Sequence, residues 1–156
     1  MTKIQKEIVE FRPINEANFH DVLDLTQEED KQFVASNIYS LAQAWLYGDV
    51  ARPYAIYAED RLVGFVMLSW DEKDKECGLW RFLIHQSERN KGYGKATLKK
   101  VIQMAKESNK FDYVHLSYVP GNASAEHLYE SVGFKATGEI DDGEIVMVYR
   151  FNEEKA

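Results

Sequence analysis

The stretch from Arg89 to Gly94 (RNKGYG) constrains the fold of this chain most, because it joins an apolar, strand-like run to an amphipathic helical pattern. A strand that enters a helix through glycines leaves the first amide groups of that helix without partners in the chain. These amides and the positive end of the helix dipole converge on one point, where they favour a phosphate group. The turn therefore predicts a strand–turn–helix unit that binds a phosphate-bearing ligand.

Length and composition set limits on the class of protein. The 156 residues fit one domain, residues 1–156, that needs no disulfide or metal to hold its core. The single cysteine, Cys77, fits a reducing, cytoplasmic setting, and no stretch resembles a membrane helix or an export signal. The net charge of -7 disfavours nucleic acid and membranes as partners and is compatible with a cationic small molecule.

Hydrophobic periodicity divides the chain into strands and helices. Alternating or continuous apolar runs predict strands at Glu7–Ile14, Tyr54–Tyr57, Leu62–Leu68, Gly78–Ile84, Tyr113–Tyr118, Lys135–Ile140 and Ile145–Phe151. Helical spacing occurs around Phe19–Leu25, over Val34–Trp45, from the glycine turn to Ser108, and over Ala125–Val132. The order β-α-α-β-β-β-α-β-α-β-β predicts an α/β (α+β) fold with a mixed central sheet of about seven strands and helices on both faces.

The glycine turn alone is compatible with several phosphate-bearing ligands. A dinucleotide-binding fingerprint needs a third glycine where this chain has Thr97, and an acidic residue about 20 positions later. A P-loop needs Gly-Lys-Ser/Thr at a spacing that is absent here. The identity of the ligand therefore depends on a second motif.

That second motif follows the predicted strand Tyr113–Tyr118 and reads N-A-S-A-E-H-L-Y-E-S-V-G-F from Asn122 to Phe134. Together with Arg89–Gly94 it resembles the paired signature of the GNAT acetyltransferases, R/Q-x-x-G-x-G/A followed by N-x-x-A-x-x-L/F-Y-x-x-x-G-F. The order of elements is also similar to that superfamily over nearly the whole chain. The resemblance implies the GNAT fold and an N-acetyltransferase that uses acetyl-CoA as co-substrate and no metal.

The resemblance also implies roles for the residues around the two motifs. Leu83 and Ile84 would present backbone groups to the pantetheine arm where two parallel strands separate, and Asn122 would contact the arm across that gap. Tyr129 would be the general acid for the departing thiolate, although its place on an apolar helix stripe also suits a core aromatic. Backbone amides of the turn would hold the pyrophosphate of CoA, from residues Arg89, Asn90, Lys91, Gly92, Tyr93, Gly94 and Lys95.

The sequence gives weaker evidence for the amine acceptor than for the cofactor. The segments Leu25–Asn37 and Gly138–Met147 resemble bacterial spermine/spermidine acetyltransferases, which implies direct attack by a polyamine in a ternary complex. Acidic residues that suit a polycation, and equally suit a solvated surface, are Glu28, Glu29, Asp30, Asp141, Asp142 and Glu144. Alternatives are another amine (aminoglycoside, amino acid or protein N-terminus) or a non-catalytic acyl-CoA-binding sensor. Homodimers are common in this family, but the sequence shows no interface.

The sequence does not identify a general base. Related diamine acetyltransferases often carry a carboxylate on the strand before the glycine turn, where this chain reads Leu79-Trp-Arg-Phe82. We therefore favour proton transfer through water or attack by an amine that is already deprotonated. Glu76 and His115 are weaker candidates, since a single histidine in a strand is more often structural. Nothing favours Cys77 as a nucleophile.

Overall fold

The computed structural model describes residues 8–152, in which seven strands form one sheet with helices on both faces. The strands are β1 Glu10–Arg12, β2 Ala51–Ala58, β3 Arg61–Asp71, β4 Glu76–Ile84, β5 Tyr113–Tyr118, β6 Lys135–Asp141 and β7 Glu144–Arg150. The helices are α1 Phe19–Leu23, α2 Asn37–Leu46, α3 Tyr93–Ser108 and α4 Ala123–Val132, with 3-10 turns at Glu28–Gln32 and Gln86–Glu88. The predicted order and fold class are confirmed. None of the described helices is long and apolar enough to cross a membrane.

Two predicted boundaries require correction. Helix α2 begins at Asn37 instead of Val34, because Ser36 ends the preceding turn and its Oγ accepts a hydrogen bond from the Tyr39 amide at 3.2 Å. The first strand covers only Glu10–Arg12 among the described residues, and its predicted start at Glu7 lies outside them. The other elements end within a few residues of their predicted limits.

The sheet is interrupted between its two parallel strands. Its order is β1-β2-β3-β4-β5-β7-β6, and β4 and β5 are parallel neighbours over only three residue pairs, from Cys77–Val114 to Leu79–Leu116. Directly afterwards, β4 carries an extra residue, Trp80, relative to β3. Such a bulge bends the strand and increases its twist. Beyond Leu79 the two strands therefore separate and leave a gap in the sheet.

The two faces of the sheet are covered differently. On one face, α3 and α4 pack on a core that includes Val114, Leu116 and Met147. On the opposite face, α1 and α2 cover β2 and β3, around buried side chains such as Phe65 and Met67. Because side chains alternate along a strand, the remaining residues of β5 and β7 point to this second face. No described helix packs against them there, so this half of the face stays open.

Candidate active site

Two cavities meet at the gap between β4 and β5. The turn cavity, of about 740 Å³, lies between the glycine turn, the end of β4 and the start of α4. The hairpin cavity, of about 960 Å³, lies on the open face above β5, β7 and the β6–β7 hairpin. The residues that line both cavities are Leu79, Trp80, Arg81, Ser117 and Glu144. The two cavities therefore adjoin at the gap.

The glycine turn presents uncapped amide groups to the turn cavity. Gly92 precedes α3 with a left-handed φ of 89°, and no side chain caps the helix. The first hydrogen bond that closes α3 runs from the Ala96 amide to the Gly92 carbonyl, so the amides before Ala96 have no helical partner. A Cβ atom on Gly92 would meet no protein atom within 4 Å, whereas one on Gly94 would lie 3.1 Å from Leu128. Gly92 thus faces open space, and Gly94 lets α3 approach α4.

The side chain of Arg89 is turned back into the protein. Its Nη2 donates to Asp30 Oδ1 at 2.6 Å, and its Nε donates to the carbonyl oxygen of Ile84 at 3.0 Å. Asp30 is buried, and its second oxygen accepts from the amide of Gln27 at 2.9 Å. Arg89 therefore connects the turn to the end of β4 and to the segment before α2, and it fixes the position of the turn.

A second group of ion pairs, centred on Glu88, also fixes the position of the turn. Glu88 is buried and accepts from Arg61 at 3.0 and 2.9 Å, and also from Lys91 Nζ at 3.4 Å. Arg61 also donates to the hydroxyl of Tyr93 at 3.1 Å. The hydrogen bonds from Arg61 hold the pKa of Glu88 below its usual value. Arg61, Arg89 and Lys91 are therefore paired with protein carboxylates, which leaves the backbone amides of the turn to bind an anion.

Tyr129 and Asn122 line the turn cavity from α4. Tyr129 is only 7% exposed and packs against Tyr118 and Phe134, with ring centroids 6.0 and 6.1 Å away. Burial, and secondly the charge of Glu144, raise the pKa of Tyr129 above its ordinary value, so the phenol keeps its proton at neutral pH. Asn122 caps α4, because its Oδ1 accepts from the Ala125 amide at 3.3 Å.

The hairpin cavity is predominantly acidic. Its five carboxylates belong to Glu76, Glu139, Asp141, Asp142 and Glu144, and its guanidinium groups to Arg81 and Arg150. His115 lies directly over Gly78, where an added Cβ would be 2.7 Å from the imidazole Cε1. Burial lowers the pKa of His115, an effect that the nearby Glu76 and Asp141 partly oppose. The cavity therefore suits a cationic ligand and contains a neutral imidazole.

The predicted site residues divide between the cavities. The sequence suggests that Glu29 lies on the acceptor side, but it borders the turn cavity. Asp141 and Asp142 border the hairpin cavity. Glu28 pairs with Lys31 at 3.0 Å, and neither Glu28 nor Lys91 lines the turn cavity or the hairpin cavity. The other predicted residues line the turn cavity: Leu83, Ile84, Arg89, Asn90, Gly92, Tyr93, Gly94, Lys95, Asn122 and Tyr129.

Sequence reasoning did not select Arg81, and it included Glu144 only among the acidic residues of the acceptor side. Arg81 donates to Gln43 Oε1 at 2.8 Å and to the Trp80 carbonyl at 2.9 Å, and its Nε is buried without a partner among the described residues. Glu144 accepts from Ser117 Oγ at 3.4 Å. Strand alternation through Val146 places Glu144 on the open face, and the pairing of β7 with β5 brings it to the gap.

Comparison with known proteins identifies the family. The pattern of the Acetyltransferase (GNAT) family matches residues 18–134. The chain belongs to this family. Over 104 residues it is 39% identical to a spermine/spermidine N(1)-acetyltransferase of Bacillus subtilis (strain 168), covering 62% of this chain and 68% of the relative. The expected class of acetyl-CoA-dependent N-acetyltransferase is confirmed at the level of the family.

Solved structures share this fold. The spermidine N-acetyltransferase of Vibrio cholerae, in complex with CoA and spermine, aligns with a TM-score of 0.73 at 14% identity, over 97% of this chain and 100% of the other. The aminoglycoside acetyltransferase AAC(6')-Ib, in complex with coenzyme A, aligns with a TM-score of 0.78 at 17% identity, over 94% and 97%. The predicted GNAT fold is therefore confirmed.

Proposed function

We propose that this GNAT-family protein transfers the acetyl group of acetyl-CoA to a primary amine of a polyamine such as spermidine or spermine. The observation that carries the proposal is the meeting of two cavities at the gap between β4 and β5. One cavity ends in uncapped helix amides, and the other is lined with carboxylates. Two substrates bound from opposite sides would meet at the gap, as direct attack in a ternary complex requires.

The turn cavity fits the shape and charge of CoA. We assign the pyrophosphate to the backbone amides of residues 89–95, where Gly92 allows close approach and the dipole of α3 favours an anion. The pantetheine arm would lie along Leu83 and Ile84, whose edge of β4 is not paired with β5. Asn122 uses Oδ1 to cap α4, which leaves its Nδ2 group to donate to the arm. When bound, acetyl-CoA supplies an activated acetyl thioester at the gap.

Tyr129 is assigned the role of general acid. Its phenol lines the turn cavity next to the gap, and its raised pKa keeps it protonated at neutral pH. A protonated phenol can donate its proton to the sulfur of the leaving group as the thioester breaks. The surrounding rings of Tyr118 and Phe134 restrict its side chain, so the proton is held in one place.

The hairpin cavity supplies the charge that a polyamine requires. A polycation is bound best by several carboxylates spaced along a groove, because each ammonium then has a partner. Asp141 and Asp142 are exposed at the hairpin and would contact the distal ammonium groups, whereas Glu144 stands at the gap. Glu28 and Glu29 do not line this cavity, so we assign them no direct contact with the polyamine. The similarity to a spermine/spermidine acetyltransferase supports the same acceptor.

A panel of amines tests the acceptor. We expect thiol release from acetyl-CoA with spermidine and spermine, at a kcat/KM at least about tenfold above that for aminoglycosides, amino acids and peptides. Replacing Asp141 and Asp142 by asparagine should raise KM for spermidine more than for a monoamine of similar length. Turnover with peptides alone would contradict the polyamine proposal. Tight binding of acetyl-CoA without turnover of any amine would favour the non-catalytic sensor.

One observation favours a second class of acceptor. Arg81 lies at the gap, and its buried Nε has no partner among residues 8–152. A guanidinium in this position suits an acceptor that carries a carboxylate close to its amine, as an amino acid does. The amino acids in the panel test this alternative directly, and a preference for them should be abolished by Arg81→Met.

We also propose a homodimer, for which α2 offers an interface. The outward side of this helix is an apolar stripe of Ile38, Tyr39, Ala42, Trp45 and Leu46, whereas its buried side includes Asn37 and Ser40. Trp45 is 84% exposed and Leu46 72% exposed. At about 200 Å² for an aromatic side chain, the stripe and the adjoining Tyr47 leave on the order of 600 Å² uncovered. That area approaches the roughly 800 Å² that each partner buries in a standard interface.

A second copy is the occupant that fits the α2 stripe. The helix carries no charged residue, in a chain of net charge -7, so two copies can meet there without repulsion between carboxylates. The stripe recurs at intervals of three and four residues, which lets two antiparallel helices pack symmetrically. Tyr47 packs on Trp80 at 5.8 Å and lines the hairpin cavity, so this interface would adjoin the acceptor site.

Light scattering tests the dimer. We expect the wild-type mass to be twice that of the chain, and Trp45→Glu to give a monomer because it places a charge at the centre of the stripe. Ile140→Glu is the matched control, since Ile140 is also an exposed apolar residue, 65% exposed, but lies on β6. A monomeric wild type, or dissociation by the control substitution, would contradict the proposal.

Two sequence-based predictions remain proposals of the same kind. We propose that residues 1–156 form one domain and that the protein acts in the cytoplasm. Burial raises the pKa of the Cys77 thiol to about 12, which fits an unreactive core cysteine. Titration of the native protein with a thiol reagent would be expected to leave Cys77 unmodified.

A further inference from the structure

We infer that Glu144 is the catalytic base that accepts a proton from the attacking amine. This inference rests on the proposed acetyl transfer, but not on the choice of a polyamine as acceptor. Glu144 is the first residue of β7 and follows the turn that joins it to β6. It is half-buried at the point where the two cavities meet.

The position of Glu144 distinguishes it from every other carboxylate of the two cavities. Glu29, Asp30 and Glu88 line the turn cavity alone, and Glu76, Glu139, Asp141 and Asp142 line the hairpin cavity alone. Among the described residues, only the carboxylate of Glu144 borders both. The nitrogen must form its new bond where the cavities join, so its proton acceptor must be within reach of that point.

The other basic groups near the gap are less suited to the task. Asp30 and Glu88 are occupied by Arg89 and Arg61, respectively. His115 is neutral, but it lies over Gly78 and borders only the hairpin cavity. His127 borders only the turn cavity.

The groups that face Glu144 come from each neighbouring element. Ser117 of β5 donates to its Oε1 at 3.4 Å, and Asp141 of β6 is its partner across the hairpin. Arg81 of β4 and Tyr129 of α4 both interact with its charge.

The transfer of protons balances with Tyr129 as the acid. The neutral amine nitrogen forms a bond to the acetyl carbon, and its N–H proton passes to Glu144 Oε. The bond from carbon to sulfur breaks, and the O–H proton of Tyr129 passes to the sulfur. The proton on Glu144 then returns to the Tyr129 phenolate, so both residues are restored and the products are the amide and the free thiol.

Glu144→Gln tests the inference, because glutamine keeps the shape and hydrogen bonds of the side chain but cannot accept the proton. With the best amine of the panel, we expect kcat to fall at least about 100-fold. The acidic limb of the kcat profile against pH should also disappear. Calorimetry should give a Kd for CoA within about twofold of wild type and a rise in the Kd of the amine far smaller than the fall in kcat, which a role in substrate binding alone would not give.

Two further variants make the test specific. Glu130→Gln, on an exposed residue of α4 that lines neither cavity, should leave kcat and the pH profile unchanged. Glu144→Asp should retain the acidic limb with a lower kcat, and it replaces the glutamine variant if that protein does not fold. Retention of kcat within about threefold, or a loss confined to KM and to the Kd of the amine, would overturn the inference while acetyl transfer stands. A wild-type protein inactive with every amine would overturn both.

Discussion

Replacing Tyr129 by phenylalanine is expected to lower kcat by about 10²- to 10³-fold, within the usual range for loss of a general acid. The substitution removes only the hydroxyl, so the packing of the ring against Tyr118 and Phe134 is kept. Affinity for acetyl-CoA should therefore stay within about twofold of wild type. Steady-state kinetics together with calorimetric titration of acetyl-CoA separate the two quantities.

The pH dependence of kcat in the wild type also tests the assignment of Tyr129 as the general acid. Because burial raises the pKa of Tyr129, its phenol stays protonated at least to its ordinary value of about 10. No alkaline loss of kcat from Tyr129 should therefore occur below that pH. Tyr54→Phe is a suitable control, since Tyr54 packs on the same core and lines neither cavity. Equal kcat for Tyr129→Phe and wild type would refute the acid role.

Replacing Gly92 by alanine is expected to weaken acetyl-CoA binding by about tenfold or more. The φ of Gly92 is 89°, and the new methyl group would point into open space of the turn cavity, where we place the pyrophosphate. The methyl group would keep the phosphate from the backbone amides, and the left-handed conformation itself costs about 1–2 kcal/mol with a side chain. Calorimetric titration with CoA measures the loss.

Gly138 provides a closely matched control for this substitution. Its φ is 88°, a Cβ there would also meet nothing within 4 Å, and it lines neither cavity. Gly138→Ala should therefore lose a similar amount of stability in thermal unfolding while its affinity for CoA is unchanged. If both variants lost CoA affinity equally, strain and not contact with the ligand would explain the effect.

Local patterns in the sequence were sufficient to predict much of the fold. Strand β5 covers Tyr113–Tyr118, as its alternation predicts, and α3 begins in the glycine turn and ends at Ser108. These elements depend on periodicity and on glycine conformation, both of which are properties of short segments. The residues proposed for the cofactor side lie on two such segments, so local patterns also predict that they line one cavity.

The features that the sequence left open depend on contacts between distant segments. The bulge at Trp80 arises from the register of β4 against β3, and it brings Arg81 to the gap. The position of Glu144 at the gap requires β7 to pair with β5, about thirty residues away along the chain. The pairing of Arg89 with Asp30 joins residues 59 positions apart. The residues close to each of these positions in the sequence do not predict which distant residue it contacts.

The exposed face of α2 illustrates a different limit. Val34, Ile38, Leu41 and Trp45 recur at helical spacing, yet Leu41 packs inward while Ile38 and Trp45 are exposed. The inward side instead accommodates Asn37, whose Nδ2 donates to the Val22 carbonyl at 2.7 Å. A buried hydrogen bond therefore sets the orientation of the helix, and periodicity alone cannot reveal it.

The central claim is that the two substrates enter from opposite cavities and meet at the gap between β4 and β5. A crystal structure with CoA and spermine bound tests it most directly. We predict the pyrophosphate on the amides of residues 89–95, the sulfur beside the Tyr129 hydroxyl, and a terminal spermine nitrogen within hydrogen-bonding distance of Glu144. Both ligands in a single cavity, or a pyrophosphate bound away from the glycine turn, would contradict the account.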